Sequence, residues 1–192
     1  MAFRLIAGLG NPGVRYVGTR HNIGFEVLDA WVAAEKAAFH AEKTGPADMA
    51  RLGEARLIKP LTFMNVSGQA VRAWMEWLKL SPADLLVVVD DVQLALGQVR
   101  LRKSGSSGGH NGLRSVEAEL GMADYARLRC GVGPLPEGWA LEDFVLGRFA
   151  AGDVEKVKEM TAQAVEAVRC CQSEGIEVAM NRFNRRQEEQ GE

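Results

Sequence analysis

Cysteine is scarce: Cys130, Cys170 and Cys171 are the only three in 192 residues. The odd count, with no C-x-x-C or Cys/His spacing, excludes a disulfide framework. It gives no zinc signature either, and points to reduced thiols in a cytoplasmic protein. Cys170 and Cys171 fall in a helical pattern and read as packing residues. No segment approaches 18 uninterrupted apolar residues, and the start, MAFRLIAG, lacks a secretory signal's layout, so no membrane partner is expected. The motif G-x-S-x-G is missing, which removes the serine of a nucleophile elbow. Internal repeats, low-complexity stretches and linkers are absent too. With 47% hydrophobic residues, the chain reads as one domain, residues 1–192, with a substantial core.

Excess charge is also lacking, and the net charge of -2 argues at first against a nucleic-acid partner. Its distribution argues otherwise. GQVRLRKSGSSGGHNG, residues 97–112, carries Arg100, Arg102 and Lys103 and no acid. Arg114, Arg127 and Arg129 follow, and Arg182, Arg185 and Arg186 lie near the end, offset by Glu188, Glu189 and Glu192. A basic strand leading into a glycine-rich loop is the footprint of a polyanion site. The alternative for this stretch alone is a solvated strand face.

The run GLGNPG, residues 8–13, matches G-x-G-x-x-G after a short apolar stretch. A dinucleotide site needs a helix opening at the last glycine. Pro12 disfavours helix at Asn11, and VRYVGTR has no 3.6-residue periodicity. The first helical pattern starts near Asn22, with Ile23, Val27, Leu28, Trp31 and Val32 on one side. The strand Arg56–Pro60 ends without an acid for a ribose. The glycine run is therefore read as a turn that displays Asn11.

Strands are predicted over 3–9, 55–59, 85–89, 98–102 and 126–132. Helices are predicted over 22–38, 67–80, 113–120, 153–173 and 176–184. Ser67 occupies an expected N-cap, Pro82 follows its helix, and Gly175 divides the last two helices. LLVVV, 85–89, is the mark of a strand covered on both faces. The alternation predicts an α/β fold, a single three-layer domain with a twisted mixed β-sheet flanked by helices.

Polar residues gather at the predicted carboxyl ends of these strands. Asn11 follows the first, Met64 and Asn65 the second, Asp90 and Asp91 end the third, and SGGHNG (107–112) follows the basic strand. His21 opens the first helix. Ligand sites of open α/β sheets lie beyond these ends. The histidines, His21 and His110, lack metal-ligand spacing to each other. What remains is an imidazole to deprotonate water, a carboxylate to fix its tautomer, and amides to polarise a carbonyl and hold an oxyanion. This suits hydrolysis of an activated carbonyl such as an ester. Each residue has a bland alternative, turn formation or helix initiation, which the convergence of all of them weakens.

GLGNPGVRYVGTRHNIGF, KPLTFMNVSGQAV, the aspartate after LLVVV, SGGHNGLRSVEAELG, YARLRCGVG and FVLGRF together resemble bacterial-type peptidyl-tRNA hydrolase, over essentially the whole chain. The resemblance implies a monomeric cytoplasmic enzyme that cleaves the ester between peptide and tRNA without cofactor or metal, recycling tRNA from aborted translation. It implies His21 as base, Asp90 as its orienting carboxylate, and Asn11, Asn65 and Asn111 as substrate-binding amides. Tyr16, Met64 and Gly109 would line the site. Arg100, Arg102 and Arg129 would grip phosphate at the acceptor end and 5′ phosphate region of the tRNA. The chain departs from the family pattern at Val89, commonly His, at Gln93, commonly Asp, and at Pro134-Leu135, usually a basic residue and Pro. Arginines replace the lysines expected on the basic strand. Two other readings share these residues: an RNA-binding protein of this fold without hydrolysis, and a small-molecule esterase, which leaves the basic strand without purpose.

Overall fold

A computed structural model describes residues 2–185. Arg186, and Glu188, Glu189 and Glu192, expected to offset the charge of Arg182, Arg185 and Arg186, lie outside the described residues. Seven strands form one mixed sheet in the order β2-β3-β4-β1-β5-β7-β6. They are β1 (Leu5–Gly8), β2 (His40–Ala41), β3 (Ala47–Leu52), β4 (Ala55–Pro60), β5 (Leu85–Ala95), β6 (Val99–Arg102) and β7 (Ala126–Gly133). The four central strands, β4, β1, β5 and β7, run parallel, and antiparallel strands flank them on both sides. Helices α1 (Ile23–Ala34), α5 (Val154–Glu174) and α6 (Ile176–Arg185) cover one face, and α2 (Ser67–Leu78) and α3 (Asn111–Leu120) cover the other. A short helix, α4 (Leu141–Leu146), packs beside the first group. The three-layer α/β expectation holds.

Both faces of β5 are buried, as its apolar run requires: Leu86 and Val88 enter one core cluster and Leu85, Val87 and Val89 the other. The chain leaves β1 toward α1 on one face and leaves the adjacent β4 toward α2 on the other. That divergence opens a crevice at the carboxyl ends of β1 and β4. No helix opens at Gly13; a single 3-10 turn, Val14–Tyr16, follows it, and the dinucleotide reading fails as expected.

Several boundaries differ from expectation. Strand β5 does not end at Asp90 and Asp91 but continues to Ala95, with a register irregularity against β7 between Asp91 and Ala95. Ser67 is not the N-cap but the first residue of α2, after Val66; its hydroxyl is buried without a partner among the described residues. Helix α1 stops at Ala34, where the chain turns through Lys36 at φ 53. Strands β2 and β3 and helix α4 were not expected. ADMARL, the β3 stretch, mixes charge into its alternation, and α4 is too short to show helical periodicity. Outer strand β6 is closed by Asn184 of α6, whose amide donates to Leu101 O (3.1 Å) and accepts from Leu101 N (2.9 Å). No helix among the described residues is long and apolar enough to cross a membrane.

Two glycines set how closely α1 approaches the sheet. A Cβ on Gly8 would stand 2.3 Å from Gly24 O, and one on Gly24 would stand 2.4 Å from Val88 O. These obstacles are backbone, so neither can yield cheaply. Gly24→Ala is therefore expected to lower stability by about 1–3 kcal/mol, the usual cost of overpacking. It should also cost activity, because it displaces the turn that carries His21. Thermal unfolding and turnover of the same sample check both outcomes.

Candidate active site

His21 sits in a 3-10 turn, Arg20–Asn22, just before α1. The turn is strapped from both sides. Thr19 Oγ1 donates to Tyr16 O (2.8 Å), and Arg20 donates to the carbonyls of Phe144 (3.2 Å) and Arg148 (2.9 Å). The Arg20 guanidinium also lies 4.2 Å over the Phe144 ring. Helix α4 thus holds the imidazole's backbone while Leu141, Glu142, Val145 and Leu146 form one wall of a cavity of about 600 Å³. The same cavity is lined by Asn11, Tyr16, His21, Met64, Asn65, Asp90, Gly109 and Asn111. Sequence reasoning had named all eight.

Asp90 is buried in mid-strand and receives two imidazoles on one oxygen. His21 Nδ1 lies 2.8 Å and His110 Nε2 2.9 Å from Oδ1. The two rings are tilted, with centroids 4.9 Å apart. Burial alone would raise the Asp90 pKa. The attraction and hydrogen bonds of His110 and His21 outweigh it and hold the carboxyl well below its ordinary range,. An ionised carboxylate only accepts, so both ring nitrogens that touch it carry hydrogen. The other nitrogen of His110, Nδ1, accepts from Gly112 N (3.1 Å) and Leu113 N (3.3 Å) and caps α3. His110 is thereby fixed as the neutral Nε2–H tautomer. His21 is fixed the opposite way: Nδ1 donates, and Nε2, without a protein partner among the described residues, is the basic nitrogen.

His21, Asp90 and His110 also bring three possible metal ligands within 4.8 Å of one another. The sequence spacing gave no hint of this convergence, because the fold, not the chain, brings the histidines together. The tautomers favour proton chemistry there. A cation on His110 Nε2 would need the proton on Nδ1, which the α3 cap occupies as an acceptor.

The amides are oriented as strictly. Asn11 Oδ1 accepts from Met64 N (2.8 Å), which joins the loops after β1 and β4. The Asn11 backbone is clamped by Asn22, whose Oδ1 accepts from Asn11 N and whose Nδ2 donates to Asn11 O, each at 2.9 Å. Asn111 opens α3, and its Oδ1 accepts from Arg114. Both amides have their oxygen occupied by protein, so their Nδ2 groups are the donors left for a substrate. Asn65 is exposed at the rim, and Tyr16 and Phe63 meet edge to face at 6.4 Å beside it.

The arginines divide. Arg100 and Arg102 of β6 are half-buried outside the cavity lining, while Arg129 of β7 lies directly opposite Arg100 and reaches the cavity wall. Burial first, and then the neighbouring guanidiniums of Arg100 and Arg129, lower the pKa of Arg102. Arg129 Nε is ion-paired with Asp91, and Lys103 with Glu177 of α6. Arg127, counted with the basic residues, is instead buried. Its guanidinium donates to the carbonyls of Gly105, Ser106 (2.9 Å) and Ala123 (3.0 Å), so it shapes the loop and is closed to a partner. Val89 is buried beneath the cavity, and Gln93 is exposed at its edge. Leu135 packs against the core, so that departure is apolar in its setting. Burial pushes the Cys130 thiol up, with Asp90 and Asp91 adding to it, so it is no nucleophile,.

Sequence reasoning missed His110 as Asp90's second partner, Asn22 as the clamp on Asn11, and Arg114 and Asp91 as partners of named residues. His110 and Asn22 stand inside quoted motifs beside named residues, which was the available signal. Asp91 was gathered beside Asp90 and FVLGRF overlaps the α4 wall, but neither showed what its side chains meet.

An imidazole with one basic nitrogen, a carboxylate behind it and amide donors in front define a hydrolase that activates water. The comparisons with known proteins are specific. The chain belongs to the peptidyl-tRNA hydrolase family, whose model, described as peptidyl-tRNA hydrolase, matches residues 5–191. A peptidyl-tRNA hydrolase of Methylacidiphilum infernorum is 44% identical over 182 residues, covering 95% of this chain and 98% of that protein. One from Symbiobacterium thermophilum is 46% identical over 186 residues, covering 94% and 98%. The crystal structure of peptidyl-tRNA hydrolase from Acinetobacter baumannii superposes with a TM-score of 0.89 at 29% identity, covering 95% of this chain and 94% of that one.

Asn22→Ala removes both clamps on the Asn11 backbone while leaving His21 and Asp90 in place. A loss of activity is expected, with the pH dependence of kcat/KM unchanged in shape. A pH profile displaced together with the rate would contradict a purely positioning role for Asn22.

Proposed function

We propose that this protein hydrolyses the ester joining a peptide to the terminal ribose of tRNA. His21 Nε2 takes a proton from a water molecule, which attacks the ester carbonyl. Asp90 keeps Nδ1 protonated and steadies the imidazolium that forms. The Nδ2 donors of Asn11 and Asn111, with Asn65 at the rim, hold the peptide's carbonyl groups and the developing oxyanion. Collapse of the tetrahedral intermediate expels the ribose oxygen, which takes the proton from His21, releasing free tRNA and peptide. Tyr16, Met64 and Gly109 shape the cavity around the scissile bond. Arg100, Arg102 and Arg129 hold backbone phosphates near the acceptor end and 5′ phosphate of the tRNA, contacts that position without reading sequence. The chain works on this reading as one domain and a monomer. Its three buried free thiols support a reducing compartment such as the cytoplasm,.

The observation that carries this reading is the 2.8 Å contact of His21 Nδ1 with Asp90, which leaves Nε2 as the base. Base catalysis is typically worth about 10²–10⁴ in rate. His21→Ala is therefore expected to lose that much in kcat with little change in affinity for peptidyl-tRNA, and Asp90→Asn to lose less. Near-normal turnover by His21→Ala would contradict the assignment. The tRNA platform is tested separately. Arg102→Ala should raise KM for peptidyl-tRNA and flatten its logarithmic salt dependence by about 0.7–0.9, the release for one phosphate contact. The effect on a peptidyl-nucleotide fragment without the tRNA body should be much smaller. Equal losses on both substrates would place Arg102 in the catalytic centre instead.

A further inference from the structure

Asp91 follows the base-orienting Asp90 but serves neither histidine. Its side chain is only 7% exposed, and that of Arg129 is 26% exposed. Asp91 Oδ1 accepts from Gln93 N (2.8 Å) across the irregular turn of β5, which anchors the carboxylate. The other oxygen meets Arg129 Nε. Arg129 in turn stands opposite Arg100 on β6, and both crowd Arg102. Of the three neighbouring arginines, Arg129 is therefore the one that meets a fixed carboxylate, at the boundary between the cavity and the basic strand.

We propose that Asp91 is a built-in counter-ion that attenuates the grip of Arg129 on tRNA phosphate. A cation already neutralised by a fixed carboxylate displaces little of the counter-ion atmosphere condensed on the tRNA, and a phosphate that reaches it must share its charge with Asp91. Asp91 cannot swing away cheaply, because it is buried and tied to Gln93 N. The consequence lies at the end of the reaction. Deacylated tRNA carries the same phosphates as the substrate, so a grip on them is uniform binding that helps neither the chemical step nor release. An attenuated Arg129 lets the product leave while Arg100 and Arg102 supply encounter.

The inference rests on the arginines being the tRNA platform, and the test separates the two. The affinity of deacylated tRNA is measured against salt for the wild-type protein, Arg102→Ala, Arg129→Ala, Asp91→Asn and the double variant Asp91→Asn/Arg129→Ala. Thermal unfolding of each sample establishes that it is folded, and Asp91→Ser repeats the cycle with a second replacement. Asp91→Asn is expected to bind about threefold to tenfold tighter at low salt and to steepen the salt dependence by about 0.7–0.9. Arg129→Ala should flatten it, and the double variant, with the site's charge back at zero, should return it to the wild-type slope. If Asp91→Asn binds no tighter and the double variant stays as flat as Arg129→Ala, the counter-ion role is overturned while the platform stands. If Arg102→Ala and Arg129→Ala change neither affinity nor slope, the platform itself fails and the inference with it.

Discussion

One carboxylate oxygen organises this molecule's chemistry. Asp90 Oδ1 is buried in the central strand and shared by His21 and His110 at 2.8 and 2.9 Å. A buried carboxylate is costly unless hydrogen-bonded, and each imidazole donates one N–H to it. The arrangement is also logically tight. His110 has spent Nδ1 on the backbone of α3, so it can meet Asp90 only as the Nε2–H donor. Asp90, kept ionised, then requires a proton on His21 Nδ1, and the base is exposed at Nε2. The tautomer of the catalytic group follows from a helix cap on the far side of the carboxylate.

The fold serves that oxygen. Strand β5 carries Asp90 past the end of β1 while still paired with Cys130 of β7. The contact between Gly8 and Gly24 lets α1 bring His21 down onto it, and α3 begins with the histidine that holds its other side. Asn11 joins the loops after β1 and β4 through Met64 N, so the amides move with the same framework. Around this amide-lined cavity the cations take separate roles. Arg127 and Arg129 are two residues apart on β7, yet one is locked to three backbone carbonyls and the other reaches the cavity wall. Position on a strand does not decide the role of an arginine; what its guanidinium meets does.

The order of elements, the covered central strand and the gathering of Asn11, His21, Met64, Asn65, Asp90 and Asn111 were legible because each rests on local pattern or on strand ends. The chain could not show where strands end in space: Asp90 lies within β5, not at its end, because pairing with β7 continues the strand through two aspartates that composition disfavours. It could not show that Ser67 starts α2 uncapped, since Val66 takes the cap position after a 3-10 turn. The convergence of two distant histidines, 89 positions apart by number, on one oxygen is a tertiary fact with no sequence period. Helix α4 was missed for a simpler reason, its brevity after a Pro- and Gly-containing stretch.

The most direct test of the account is the protonation of the two ring nitrogens of His21 and His110, read from nitrogen-15 chemical shifts of the labelled protein near neutral pH. The account predicts opposite neutral tautomers: hydrogen on Nδ1 with a bare Nε2 in His21, and hydrogen on Nε2 with a bare Nδ1 in His110. The signals are assigned with Asp90→Asn and His110→Ala. Hydrogen on His21 Nε2 in the neutral ring would leave no base facing the cavity and would contradict the mechanism at its root.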